Sequence, residues 1–259
     1  LYEGDIRIAQ QFKLPLLLNL PTYRASANYT DCYGLSVEKV NHDAYVFVNN
    51  IRQICVVDAN PKAPVFILGP VGPKHDAYHP ELTMTAADAK QYHQQQISAL
   101  ANVGVDLVSL ATMPSASEAL GAALAASQFD VPYTIGFVID QKGHLLDKTS
   151  LANAITLIDK KLGEKKPLCY LIFCTHASTA ELALKQIPDK LTSRIKGIKA
   201  NGSCKPPREL AQSHQALADP PAEFAKQIMA LAKQYDWWFV GGCCGTSREH
   251  LRFLAKHAF

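Results

Sequence analysis

The segment Gly241-Gly242-Cys243-Cys244-Gly245-Thr246 has the residue types and spacing for thiolate chemistry. Adjacent cysteines in a regular strand point to opposite faces. Both can address one point only where the backbone leaves strand geometry, and Gly241, Gly242 and Gly245 supply that freedom. Another cysteine, Cys204, lies in Asn201-Gly202-Ser203-Cys204, just after a separate apolar run. Three sulfurs from Cys204, Cys243 and Cys244 converging on one point would make a zinc site with one position left open, as catalytic sites keep. Sulfur-rich ligation suits zinc over magnesium or calcium. The open position suits a thiol, whose pKa the metal lowers so that it attacks at neutral pH. A methyl donor held in line could then pass on its group by displacement, with no catalytic side chain needed beyond the metal-activated thiol. Two other chemistries fit the pair: a redox-active or vicinal-disulfide couple, and two buried structural cysteines. The usual redox spacing is Cys-x-x-Cys, which this pair lacks.

Something must hold those cysteines together. Short, continuous apolar runs occur at Leu14 to Leu20, Pro64 to Gly69, Val105 to Met113, Tyr133 to Ile139, Leu168 to Cys174, Ile195 to Ala200 and Trp237 to Val240. Such runs suit strands buried on both faces of a parallel sheet. Helical spacing separates them. Val37, Val40, Ala44, Val48, Ile51 and Cys55 share one helix face, and Thr85 with Asp88 opens a helix that Gly104 stops. Ser117 and Ser150 are candidate caps, Gly163 a stop, and Thr246 with Glu249 opens the last helix. Its N-terminal dipole would favour thiolates beside it.

Alternating strands and helices predict an α/β chain with a parallel sheet. The expected architecture is a (β/α)8 TIM barrel forming one domain over residues 1–259. The seven runs and the helix-like opening Tyr2 to Phe12 predict that strand one lies upstream of Leu1, leaving the barrel N-terminally incomplete. An open doubly wound sheet is the competing architecture, but no Gly-rich phosphate fingerprint follows an early strand. A barrel puts catalytic groups at the C-terminal strand ends, and Cys204 and the Cys243–Cys244 pair both fall there.

Composition narrows the partners. Among 259 residues the net charge is +3, with 48% hydrophobic and 19% charged, the profile of a soluble globular chain. No apolar run approaches the roughly 18 residues that cross a bilayer, and no Lys/Arg block suggests nucleic acid. Seven cysteines without a signal peptide make a reducing cytoplasm the default. Cys32, Cys55, Cys169 and Cys174 read as small core hydrophobes. Between Pro73 and Pro80, His75 and His79 read as polar loop residues, and His93 and His176 as structural histidines. Of Trp237 and Trp238, an exposed one would suit a subunit interface.

With these residues in view, the chain resembles the homocysteine S-methyltransferase family. Gly241 to Thr246 looks like that family's C-terminal zinc motif. Pro21-Thr22-Tyr23-Arg24-Ala25-Ser26, Gly69-Pro70-Val71-Gly72 and the stretch from Asp106 to Ala119 are similar to its segments around strands two, three and four. The resemblance implies a (β/α)8 barrel with zinc on three cysteines, here Cys204, Cys243 and Cys244. It also implies acceptor contacts at Thr22, Tyr23 and Asn201. The implied reaction moves a methyl group from a small-molecule donor to homocysteine or a related thiol or selenol, giving methionine, in a small homo-oligomer. Three departures stand beside it. No Asp-Gly-Gly-type segment opens the chain, Ala111 occupies the strand-four position where the family often has Glu, and the cysteine after Asn201 is displaced to 204. Cys204 is then either a ligand brought in by loop adjustment or a solvent-facing loop residue. A non-catalytic metal- or ligand-binding barrel is the alternative function.

Overall fold

The computed structural model describes residues 1–57, 63–140, 142–205 and 217–258. Seven strands form one parallel sheet: β1 (Leu16–Asn19), β2 (Val65–Val71), β3 (Leu107–Met113), β4 (Tyr133–Phe137), β5 (Cys169–Thr175), β6 (Ile195–Ala200) and β7 (Phe239–Gly242). They lie in sequence order, each paired with the next. The longer helices among the described residues are α1 (Tyr2–Phe12), α2 (Val37–Val57), α3 (Ala86–Val103), α4 (Ala116–Ala126), α5 (Leu151–Leu162), α6 (Ala177–Leu184), α7 (Pro221–Gln234) and α8 (Arg248–His257). The sheet curls like that of a TIM barrel. Arg248 on α8 reaches Asp5 on α1 at 3.3 Å, and Lys199 on β6 reaches Asn19 on β1 at 3.4 Å. No helix among the described residues is long and apolar enough to cross a membrane.

The strands are apolar on both faces because both faces are covered. Val108, Leu110, Ile135, Phe137, Tyr170, Ile172 and Ile198 pack against the helices. A smaller inner cluster joins Ala111, Cys169, Leu171 and Phe173, with Tyr23 and Phe239 against it. Alternation thus sorts each strand into an outward and an inward set.

The expected helix ends form at Thr85, whose hydroxyl accepts from the Asp88 N–H at 3.2 Å, and at Ser150, which accepts from Asn153 at 3.2 Å. Gly104, at φ 84°, closes α3 in the left-handed conformation that glycine adopts without strain. Two caps differ from expectation. Ser115, not Ser117, caps α4, because Ser117 instead donates to the Met84 carbonyl at 2.8 Å. Ser247, not Thr246, caps α8 in a reciprocal box with His250. The Thr246 hydroxyl is engaged with the Cys243 carbonyl at 2.7 Å.

Helices α3 and α4 meet closely. A Cβ built on Gly121 would lie 2.4 Å from the Ala86 carbonyl oxygen and 2.5 Å from the Ala89 Cβ. Gly121→Leu must therefore push the helices apart. We expect it to destabilise the fold by about 2 kcal/mol, as overpacking does, lowering the urea midpoint at unchanged m-value.

Candidate metal centre

Cys174, Cys243 and Cys244 bring their sulfurs to one place. All three sulfurs lie within 4.8 Å of one another, and the Cys174 and Cys243 Sγ atoms are 2.7 Å apart. Cys243 and Cys244 follow β7 directly. The Cys243 N–H continues the sheet ladder to the Ala200 carbonyl at 2.7 Å, and the Cys244 carbonyl accepts from Gly202 at 2.9 Å. Strand geometry holds through Gly242 and breaks only after it, ending at Gly245 with φ 80°. Gly242 is needed for space, since a Cβ there would sit 2.2 Å from the Thr246 hydroxyl oxygen.

Cys174 reaches the site by a different device. Phe173 belongs to the inner cluster, so strict alternation would turn Cys174 outward. Instead Cys174 has φ 49°, and the β5–β6 register slips between Phe173 and Thr175. That left-handed residue re-aims the side chain at a cost of about 1–2 kcal/mol. Asn201 offsets it, donating from Nδ2 to the Cys174 carbonyl at 2.9 Å. The same device recurs at Thr112, where φ is 54° and the β3–β4 register slips between Leu110 and Met113. Its hydroxyl pairs with the Tyr23 hydroxyl.

A hydrogen-bonded frame centred on Asp219 links the end of β5, the loop after β6 and the start of α8 around the sulfurs. Asp219 accepts from His176 Nε2 at 3.0 Å, beside the end of β5, and its N–H bonds the Gly202 carbonyl at 2.6 Å. The Asp219 carbonyl accepts from His250 on α8 at 3.0 Å. His176 also caps α6, so its structural role is as expected.

The charges of the cluster are shared. Hydrogen bonds from Cys174 and then Cys243 draw the Cys244 thiol far below its ordinary range. Those bonds to Cys243 and Cys244, and then burial, hold the proton on Cys174. Burial pushes the Tyr23 phenol up to about 12; the Thr112 hydrogen bond and Arg24 pull it down, and the nearby Cys174 and Cys243 push it up. The Tyr78 phenol is also raised, above all by burial. Two protonated phenols thus lie near the sulfurs, while Cys244 is exposed to solvent.

The sequence-predicted residues divide. Cys243 and Cys244 meet as expected. Cys204 is exposed and stands outside the sulfur cluster, in the loop after β6. Cys174 takes the third place, and its reading as a core hydrophobe is corrected by the turn that swings it inward. Tyr23 lies at the site. Asn201 is buried; its Nδ2 donates to the Cys174 carbonyl, while its Oδ1 has no partner among the described residues. Thr22 is fully buried, donating to the Pro70 carbonyl at 3.1 Å, so its hydroxyl acts within the scaffold. His79 pairs with Glu81 at 2.8 Å in its loop, and His93 with Glu118 at 3.1 Å in the core. Tyr78 was passed over, although it lies in the same loop as His75 and His79. A signal for Cys174 was also present: it ends a predicted strand at the end where barrels keep their chemistry.

The donor set can be tested against zinc. Tetrahedral zinc with sulfur at about 2.3 Å keeps its thiolates roughly 3.8 Å apart, so the sulfurs, all within 4.8 Å, are near enough, and the Cys174–Cys243 pair at 2.7 Å would open by about 1 Å to hold it. Three soft sulfur donors at one point fit that ion.

Comparison with known proteins agrees with the geometry. The family model described as homocysteine S-methyltransferase matches residues 18–258. The fold is similar to the metallated form of the homocysteine methyltransferase MmuM from Escherichia coli, with TM-score 0.75 and 16% identity over 98% of this chain and 83% of that one. Its oxidized form gives TM-score 0.77 and 19% identity over the same shares.

Proposed function

The chain belongs to the homocysteine S-methyltransferase family and is a methyltransferase, and on that premise we propose that it transfers a methyl group to the sulfur of homocysteine or a related thiol or selenol, with zinc on Cys174, Cys243 and Cys244 and, for homocysteine, methionine as product. The observation that carries this reading is the convergence of three sulfurs at the C-terminal ends of β5 and β7. This ligand set replaces the Cys204-containing one expected from sequence.

When bound, zinc supplies a Lewis-acid position that lowers the acceptor thiol's pKa and keeps it nucleophilic at neutral pH. The protein does the rest by position. The exposed flank of Cys244 leaves an approach for the acceptor. Tyr23 is pinned beside the site by donating to Thr112, and Tyr78 keeps its proton and can donate a hydrogen bond to sulfur or to donor groups. The acceptor sulfur forms its new bond to the methyl carbon as the carbon–donor bond breaks. The electron pair leaves with the donor, and the acceptor's proton goes to solvent. Thiols in this state need reducing surroundings, so the reading places the enzyme in the cytoplasm.

The test is a methyl-transfer assay of zinc-loaded full-length protein with homocysteine as acceptor and S-methylmethionine, S-adenosylmethionine, betaine or a methylfolate as donor. Methionine should appear with one of these donors and vanish after chelation, returning on zinc addition. Protein that holds zinc under reducing conditions yet methylates homocysteine with none of them would sink the reading.

A further inference from the structure

One level below the sulfurs, the barrel interior carries a cation. Phe173 on β5, Lys199 on β6 and Gly241 on β7 are register partners across neighbouring strands. Ala111 packs with Phe173 in the inner cluster. The Lys199 side chain passes over Gly241, its Cγ lying 3.7 Å from where a Cβ there would be. Its Nζ sits 5.6 Å from the centre of the Phe173 ring and 3.4 Å from the Asn19 Oδ1 across the barrel. Both contacts are neutral, so the ammonium is steered by a ring and an amide. Among Asn19, Ala111, Phe173, Lys199 and Gly241, only Lys199 carries charge. Gly241 precedes Cys243 by two residues, about 6.6 Å along a strand. That matches the scale of a molecule with sulfur and carboxylate separated by three carbons.

From this placement we propose that Lys199 binds the carboxylate of the acceptor thiol, so that the site selects anionic thiols and does not depend on an acceptor ammonium. An ammonium reaching this level would meet Lys199 and the methyl of Ala111; a carboxylate would meet a partly desolvated cation with room for a charge-assisted hydrogen bond. The inference rests on the methyl-transfer reading for the acceptor's identity, but its binding test does not.

The test compares three acceptors in zinc-loaded protein: homocysteine, 4-mercaptobutanoate (no amine) and 3-aminopropanethiol (no carboxylate). Lys199→Met should raise KM for the first two by about tenfold or more, the scale of one charge-assisted contact, and leave the third unchanged. Lys199→Arg should recover most of the loss. Independently, calorimetry on metal-free protein measures binding of 4-(methylsulfanyl)butanoate and 3-(methylsulfanyl)propylamine. Wild type should bind the carboxylate, Lys199→Met should bind it at least about tenfold more weakly, and the amine should not distinguish them. Equal carboxylate binding by wild type and Lys199→Met, no carboxylate binding by wild type, or equal weakening of both ligands would overturn the assignment. If calorimetry gives the expected split while no acceptor is methylated, the methyl-transfer reading fails and the Lys199 site stands.

Discussion

Cys174→Ser should cost the protein its zinc and its methyl transfer, while Cys204→Ser should leave both within about twofold of wild type, the scale of a surface change without a ligand role. The serine hydroxyl nearly matches the thiol in size, so packing around the Phe173–Thr175 irregularity survives and the loss reports on ligation. Removing one of three protein donors from a zinc site should weaken affinity by more than about a hundredfold, since even residues that only support a ligand cost ten- to a hundredfold. Competition with a chromogenic chelator measures this directly. Zinc that binds only the folded state raises its stability by mass action. The melting temperature should therefore rise with zinc in wild type and in Cys204→Ser, and stay flat in Cys174→Ser, with all three equal when metal-free. Zinc-dependent stabilisation of Cys174→Ser, or its loss in Cys204→Ser, would return the third ligand to the loop after β6.

Glu118→Ala should be the most damaging substitution away from the sulfurs. The Glu118 carboxylate is buried on α4 and takes three partners: His93 Nε2 at 3.1 Å, the Lys74 N–H at 2.8 Å and the Thr83 hydroxyl at 3.4 Å. Lys74 and Thr83 flank the loop that presents Tyr78, so one carboxylate anchors both limbs of that loop and ties it to α3. Burial works against ionisation here, but the His93 bond, then the Lys74 bond, then the charge of His93 and the Thr83 bond outweigh it, holding the carboxyl below its usual range. Bonds to a charged group contribute about 1.5–3 kcal/mol each, and the truncation strands buried donors. We expect a loss of about 3 kcal/mol or more in urea unfolding at pH 7. The sign with pH follows. A depressed folded-state pKa stabilises above the unfolded value, about 4.3, and that gain disappears as pH falls through the folded value. The gap between wild type and Glu118→Gln should therefore be full near neutrality and shrink below about pH 4. A gap independent of pH would mean that Glu118 acts by shape alone.

Much of this architecture was legible because burial on both sheet faces writes a simple pattern. Runs such as Tyr133 to Ile139 and Leu168 to Cys174 are continuous because β4 and β5 face helices on one side and the barrel interior on the other. Thr85 and Ser150 announce their helices because an orphan N–H needs an acceptor at a fixed spacing. The pair after β7 was legible for the same local reason, with glycines where side chains would collide. Cys174 was not. In alternation with Phe173 it belongs on the outer face, and only a left-handed residue inside a strand, held by Asn201, turns it in. Nothing in local sequence marks that turn, because its cause is a register slip against β6. The Asp219 frame was hidden likewise: its partner His176 is 43 residues away. The bond from Asn201 Nδ2 to the Cys174 carbonyl is also visible only once the strands are side by side.

X-ray absorption at the zinc edge of the reconstituted, reduced protein tests the central claim most directly. Ligation by Cys174, Cys243 and Cys244 predicts three sulfur scatterers at about 2.3 Å and one lighter atom, falling to two sulfurs in Cys174→Ser and staying at three in Cys204→Ser. Two or fewer sulfurs in wild type, or three that persist without Cys174, would contradict it.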